Sequence, residues 1–192
     1  MQLTFEKFSK IPRLNKTCTI TEKIDGTNAQ IVFGEDGNLI VGSRTREIFP
    51  NGTHGKGKGC DNYGFARWVH DNRDRLFDYL GEGRHYGEWA GLGIQRGYGL
   101  SSKHFFLFNT FRFGTDENPI PDNLLDAGLS VVPILYSGEF STNAIQNTME
   151  MLRNSGSFIA DFDNPEGIIV HHDAARQYFK VTFEYDDGKW KK

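Results

Sequence analysis

Lys23-Ile24-Asp25-Gly26 sets an amine and a carboxylate two residues apart at what reads as a strand end, so both side chains leave one face. Gly26 lets the chain turn at once. Taken by itself, the four-residue pattern is a weak signal. The same four residues also describe a surface Lys–Asp pair at a hairpin, a common feature that contributes little energy.

Other chemistry-bearing residues follow in order: Ser43-Arg44, Tyr86-Gly87-Glu88, an aromatic stretch from Phe105 to Phe111, Glu166-Gly167-Ile168-Ile169-Val170, and Lys180. Strand parity sorts the last of them. On Phe179 to Phe183, Lys180 and Thr182 share one face while Phe179, Val181 and Phe183 point to the core. Two phosphate-loop near misses carry no weight. Residues 52–59 match GxxxxGK, but Gly59 stands where a Ser or Thr must hold magnesium, and the glycines at 91, 93 and 97 miss the dinucleotide spacing. His171-His172 point to opposite faces of a strand and do not share a metal ion.

These residues need strands to carry them. Strands are predicted over Thr17 to Ile24, Asn28 to Phe33, Asn38 to Gly42, His85 to Ala90, Phe105 to Phe113, Leu129 to Leu135, Gly167 to His171 and Gln177 to Phe183. Phe65, Trp68, Val69, Leu76, Phe77 and Leu80 recur at helical spacing before Gly81, and a second helix fits Thr142 to Arg153. Strands interrupted by two helices, without strict alternation, indicate an α+β fold with mainly antiparallel sheets.

The chain has 192 residues, 38% of them hydrophobic, enough for one domain over 1–192. With 22 Lys and Arg against 25 Asp and Glu, the net charge of -3 excludes a broad basic coat, so any polyanion site is local. No apolar run is long enough to span a bilayer, and the N-terminus lacks a signal-peptide core; a cytoplasmic protein is expected. Cys18 and Cys60 read as reduced structural thiols.

In order and rough spacing, KxDG at 23–26, Ser43-Arg44, Gly87-Glu88, the aromatic strand, EGIIV at 166–170 and Lys180 resemble motifs I, Ia, III, IIIa, IV and V of the covalent nucleotidyltransferases. That superfamily holds RNA and DNA ligases and capping enzymes. Lys-x-Asp-Gly-Thr-Asn at 23–28 with Ser43-Arg44 looks most like the RNA ligases of the phage-type RNA-repair branch. The resemblance covers about residues 20–182. It implies a nucleotidyltransferase (adenylation) domain that uses ATP and Mg²⁺ or Mn²⁺ to join RNA 5'-phosphate and 3'-OH ends through a lysyl-AMP intermediate and an adenylylated RNA end.

Under that resemblance Lys23 is the nucleophile and Lys180 clamps the α-phosphate. Asp25 and Glu166 face the metal, whose charge favours the neutral amine that must attack. Glu88 takes a ribose hydroxyl, Phe108 stacks on adenine, although Phe106 has the same parity, and Arg44 contacts the ribose or a nucleic-acid phosphate. Glu22 helps to read the base edge. Lys56, Lys58, Arg96 and Lys103 offer either a phosphate-tracking patch or merely solvated loops.

Two departures qualify the match. Thr182 stands where the family often has a second lysine, so neutralisation weakens or is borrowed from Lys189, Lys191 or Lys192. Only twelve residues follow Lys180, too few for the OB fold of DNA ligases and capping enzymes. An RNA ligase is therefore expected, acting as a monomer with weak, salt-sensitive RNA binding before adenylylation. The alternatives are a DNA ligase, a GTP-using capping enzyme, or a non-catalytic nucleotide- or RNA-binding module.

Overall fold

The computed structural model describes residues 4–14, 16–50 and 60–184. Lys56, Lys58, Lys189, Lys191, Lys192 and the phosphate-loop near miss at 52–59 lie outside the described residues.

Two sheets carry the fold. The first contains β1 (Thr17–Lys23), β7 (Ile134–Glu139), β8 (Gly167–His172) and β9 (Gln177–Thr182) in the order β7-β1-β8-β9. The second contains β2 (Thr27–Phe33), β3 (Leu39–Ser43), β4 (Gly83–Gly91), β5 (Lys103–Leu107) and β6 (Leu129–Val131) in the order β3-β2-β4-β5-β6. All neighbours are antiparallel except β5 and β6. The fold is α+β, as expected.

Each sheet buries its back under helices. Ile31, Phe33, Trp89, Phe105 and Leu107 of the second sheet pack against Phe65, Val69, Leu76 and Leu80 from α1 (Phe65–Asp71) and α2 (Arg73–Leu80). Ile20, Ile168 and Val170 of the first sheet meet Leu152, Ile145 and Met149 on α4 (Thr142–Ser155). Ser141 caps α4 by accepting from the Ala144 N–H at 3.0 Å. A third cluster, Ile24, Ala90, Tyr98, Phe106 and Val132, joins the sheets where the chain crosses between them.

Several expectations are corrected here. β1 and β2 do not form a hairpin: residues 24–26 carry the chain from one sheet to the other, which puts Lys23 at the junction. The helix expected from Phe65 to Leu80 breaks at Asn72, whose side chain donates to the Trp68 carbonyl at 2.8 Å and accepts from Arg75 at 2.5 Å. The aromatic strand ends at Leu107, because Asn109 and Thr110 turn the chain despite its apolar composition. The run Leu129 to Leu135 divides between the sheets at Pro133, which cannot donate to a ladder; its carbonyl accepts from Glu22 N–H at 3.0 Å. A short α3 (Asp122–Leu125) was not expected. Phe179 does not enter the core: it is 53% exposed on the edge strand β9, while Val181 and Phe183 pack inward. Cys18 and Cys60 are buried, free thiols. Among the described residues no helix is long and apolar enough to cross a membrane.

Candidate active site

The two sheets splay apart in front of the junction and leave a cleft of about 1140 Å³. Lys23, Asp25, Arg44, Glu88, Phe108, Glu166 and Lys180 all line it. Seven residues scattered over 158 positions are thus brought to one wall-to-wall space, which is what the resemblance requires.

Lys23 ends β1 and stands in register with Gly167, the first residue of β8. Its ammonium pairs with the carboxylate of Glu166, just before that strand. Gly167 has φ +148°, and a side chain there would run into the Val181 carbonyl of β9, so only glycine lets Glu166 leave the strand at this point. Gly26 is required for a different reason. A Cβ on it would lie 2.5 Å from the Trp89 carbonyl and 2.8 Å from Ala90 Cβ, so the crossing backbone lies directly on β4.

Asp25 is held from both sides. Its N–H donates to Tyr98 Oη at 2.7 Å, and its carboxylate lies 3.1 Å from Arg96 Nε. Arg96 also donates to Glu184 at 2.8 Å and to the Asn164 carbonyl at 3.3 Å. Tyr98 is fully buried, and that burial raises its phenol pKa well above the ordinary tyrosine value, so it is a neutral hydroxyl. Across the junction, Glu88 sits opposite Asn28, whose amide donates to it at 2.8 Å. Burial pushes the Glu88 carboxyl up to about 7, opposed by the Asn28 hydrogen bond and the Lys23 charge.

A family model for RNA ligases matches residues 16–182. The chain belongs to the RNA ligase family. No curated protein sequence matches this RNA ligase family member. Among solved structures it is similar to an RNA ligase of Naegleria gruberi, an apo variant with TM-score 0.58 and 19% identity, covering 86% of this chain and 49% of that one. A Naegleria gruberi RNA ligase variant with AMP and Mn gives TM-score 0.58 at 18% identity, covering 86% and 49%. Another with ATP and Mn gives 0.56 at 18% identity, covering 86% and 48%. This RNA ligase family chain thus spans about half the length of those chains.

The remaining predicted site residues of this RNA ligase family member divide. Phe108 and Phe106 part company once β5 ends: Phe108 is 41% exposed on the cleft, and Phe106 is buried at the junction. Lys180 and Arg44 are exposed on opposite walls. Glu22 is 1% exposed and turned away from Lys23 by strand parity; its carboxylate accepts from Ser157 Oγ at 2.6 Å and Phe158 N–H at 2.8 Å. Both oxygens therefore tie β1 to the 157–158 segment. Neither Arg96 nor Lys103 lines the cleft: Arg96 clamps Asp25, and Lys103 donates to the Tyr63 carbonyl at 2.7 Å. His172 is buried with Nε2 donating to the Leu14 carbonyl at 2.7 Å, while His171 faces the cleft, as their parity required.

Sequence reasoning did not foresee Tyr98 or the clamping role of Arg96. Both lie in a glycine-rich loop, and no periodicity or spacing signals that it folds back on Asp25. Asn28 was visible within the KxDGTN stretch, but its partner Glu88 is sixty residues away and found only through the β2–β4 register.

Proposed function

We propose that this chain is an ATP-dependent RNA ligase that joins 5'-phosphate and 3'-OH ends in RNA repair. The observation that carries the reading is Lys23 at the sheet junction, paired with Glu166 and facing Glu88 within one cleft.

The Lys23 ammonium first gives up a proton, and its neutral Nζ then attacks the α-phosphorus of ATP. A P–N bond forms, the bond to the β-phosphate oxygen breaks, pyrophosphate leaves, and the amine sheds a second proton beside Glu166, which is in contact with it. An oxygen of the RNA 5'-phosphate then attacks the same phosphorus, and the P–N bond breaks to return the lysine. Finally the RNA 3'-OH attacks the activated 5'-phosphate, forming the phosphodiester and releasing AMP.

Each wall has a share in this. Lys180 neutralises charge that grows on the α-phosphate oxygens. Phe108 offers its exposed ring to adenine. Glu88 accepts from a ribose hydroxyl, and Arg44 contacts the ribose or a nucleic-acid phosphate with its fork of donors. Glu22 contributes to base recognition by fixing the strand under the nucleotide.

Among the described residues no three His, Cys, Asp or Glu side chains gather into a metal cage. Asp25 and Glu166 nevertheless face the cleft, and Mg²⁺ or Mn²⁺ suits one or two carboxylates completed by substrate phosphates and water. Such an ion, held by these two residues, would supply positive charge that favours the neutral amine and stabilises the phosphates. The Naegleria gruberi structures with AMP or ATP and Mn support this choice of nucleotide and metal.

The test is incubation with α-labelled ATP or GTP and Mg²⁺ or Mn²⁺, followed by denaturing electrophoresis. Label is expected to stay on the protein from ATP and to be absent from Lys23→Ala. No adduct from either nucleotide would overturn the proposal, and preference for GTP would point to capping chemistry. Nicked RNA, single-stranded RNA and nicked DNA then separate the polynucleotide substrates.

A further inference from the structure

The proposed chemistry occupies the inner rows of the cleft. Glu88, Lys23 and Glu166 share the row at the junction, and Phe108 and Lys180 the next, since Phe108 N–H donates to the Tyr86 carbonyl at 3.0 Å and Lys180 pairs with Ile169. Beyond these lies a row the chemistry does not reach. His171 pairs with Thr19 on one side and Tyr178 on the other, four residues along β1 from Lys23, or about 13 Å at the usual rise of a strand.

We propose that Phe111, His171 and Tyr178 form a stacking platform for one base of a single-stranded RNA end, outside the nucleotide held over Phe108. This rests on the RNA ligase reading above and names a contact for its polynucleotide.

The three rings form a continuous series across the mouth. His171 lies 4.6 Å from Tyr178 between ring centroids and 6.1 Å from Phe111, which meets it edge-on from the opposite wall. An Asp173 carboxylate oxygen lies 3.2 Å from His171 Nδ1 on the central imidazole. The outer two rings are solvent-facing, Phe111 at 66% and Tyr178 at 65% exposure, so their faces are open to a planar partner.

Charge and size identify that partner. Lys180, two residues from Tyr178 on the same face of β9, and Arg84, four residues out from Glu88 on β4, line the outer part of the cleft, whereas its carboxylates, Glu22, Asp25, Glu88 and Glu166, gather at the junction. A chain of phosphates with a base attached matches this gradient; an acidic metal-bound nucleotide belongs at the inner end. The volume of about 1140 Å³ also exceeds the roughly 300–1,000 Å³ of a single small-molecule site, leaving space beyond one nucleotide. Stacking tolerates any base, so the platform adds grip without sequence preference.

The test measures binding of a fluorescent, 5'-phosphorylated single-stranded RNA by anisotropy, alongside lysyl-AMP formation from labelled ATP. In Phe111→Ala/Tyr178→Ala, RNA affinity is expected to fall about five- to a hundredfold, the range of losing a stacked base. Lysyl-AMP should form as in the unaltered protein, which also reports that the variant folds. The conservative pair Phe111→Trp and Tyr178→Phe should keep RNA binding, and the salt dependence should keep its slope because no phosphate contact is removed. Unchanged RNA affinity in the double variant would overturn the proposal. So would a parallel loss of lysyl-AMP, which would place the rings in the ATP pocket. If the unaltered protein formed no lysyl-AMP, the enzyme reading would fail while the RNA comparison still decided the platform.

Discussion

Arg96 Nε stands 3.1 Å from the Asp25 carboxylate, with the arginine side chain only 14% exposed, so the acidic residue two positions after Lys23 is clamped from a loop that lies far downstream in the sequence. Removing one partner of such a pair leaves a partly buried charge without compensation. Arg96→Ala should cost about 2 kcal/mol of stability and slow lysyl-AMP formation, with Arg96→Lys recovering part of both. The second partner differs: Glu184 is 77% exposed, and Glu184→Ala should leave stability and adduct formation close to normal. Thermal melts and single-turnover adenylylation measure both; equal effects of the two alanines would sink the distinction.

Gly26→Ala tests the crossing itself. The added methyl would enter the space held by the Trp89 carbonyl and Ala90 Cβ, both on β4, so backbone must shift to admit it. The expected cost is about 2 kcal/mol. Lysyl-AMP formation should fall more than stability alone explains, because the displaced segment carries Asp25 and follows Lys23. An alanine variant that melts and adenylylates normally would show that the close contact is not maintained in solution.

Glu88 makes stability depend on pH. Its folded-state pKa of about 7 lies above the ordinary value of 4.5, so the folded chain binds the proton more tightly than the unfolded one. The stabilisation is fully present below pH 4.5 and disappears as pH rises through 7. Its size is about 3 kcal/mol. Glu88→Gln keeps an oxygen to accept from Asn28 and carries no charge, so it should flatten this slope and melt higher than the unaltered protein at pH 8. Denaturant titrations between pH 5 and pH 8 supply the measurement, and identical slopes would remove Glu88 as the cause.

Ser141→Ala supplies a control far from the chemistry. Its hydroxyl caps α4 by accepting from Ala144 N–H, and the loss should cost about 1 kcal/mol. Lysyl-AMP should form at the normal rate below the lowered melting temperature. A matching loss of activity would mean that adduct formation in the other variants reports stability alone.

Part of this protein is determined by residue order. The alternation of Thr17 to Lys23 and Gln177 to Thr182 sets which side chains share a face, so Lys23 and Lys180 were legible as cleft residues before any contact was known. Gly81 marked the end of α2 correctly, because capping is local chemistry. The order of the motifs pointed to the family in the same way, through types and spacing along one chain.

What lay outside that reading was decided between segments distant in sequence. Asp25-Gly26 has the composition of a hairpin turn, yet β1 finds its partners in β7 and β8 while β2 pairs with β3 and β4. Strand pairing depends on burial of both faces across the whole sheet, which no local propensity encodes. Phe106 and Phe108 have equal parity, and only the end of β5 at Leu107 puts one in the core and the other on the cleft. Arg96 reads as either a phosphate-tracking or a solvated loop cation because a charge's role depends on what faces it; the fold brings Asp25 to it. Sequence thus determined the chemical groups and their strand faces. The tertiary structure decided which of them meet, since ion pairs, burial and register are properties of neighbours in space.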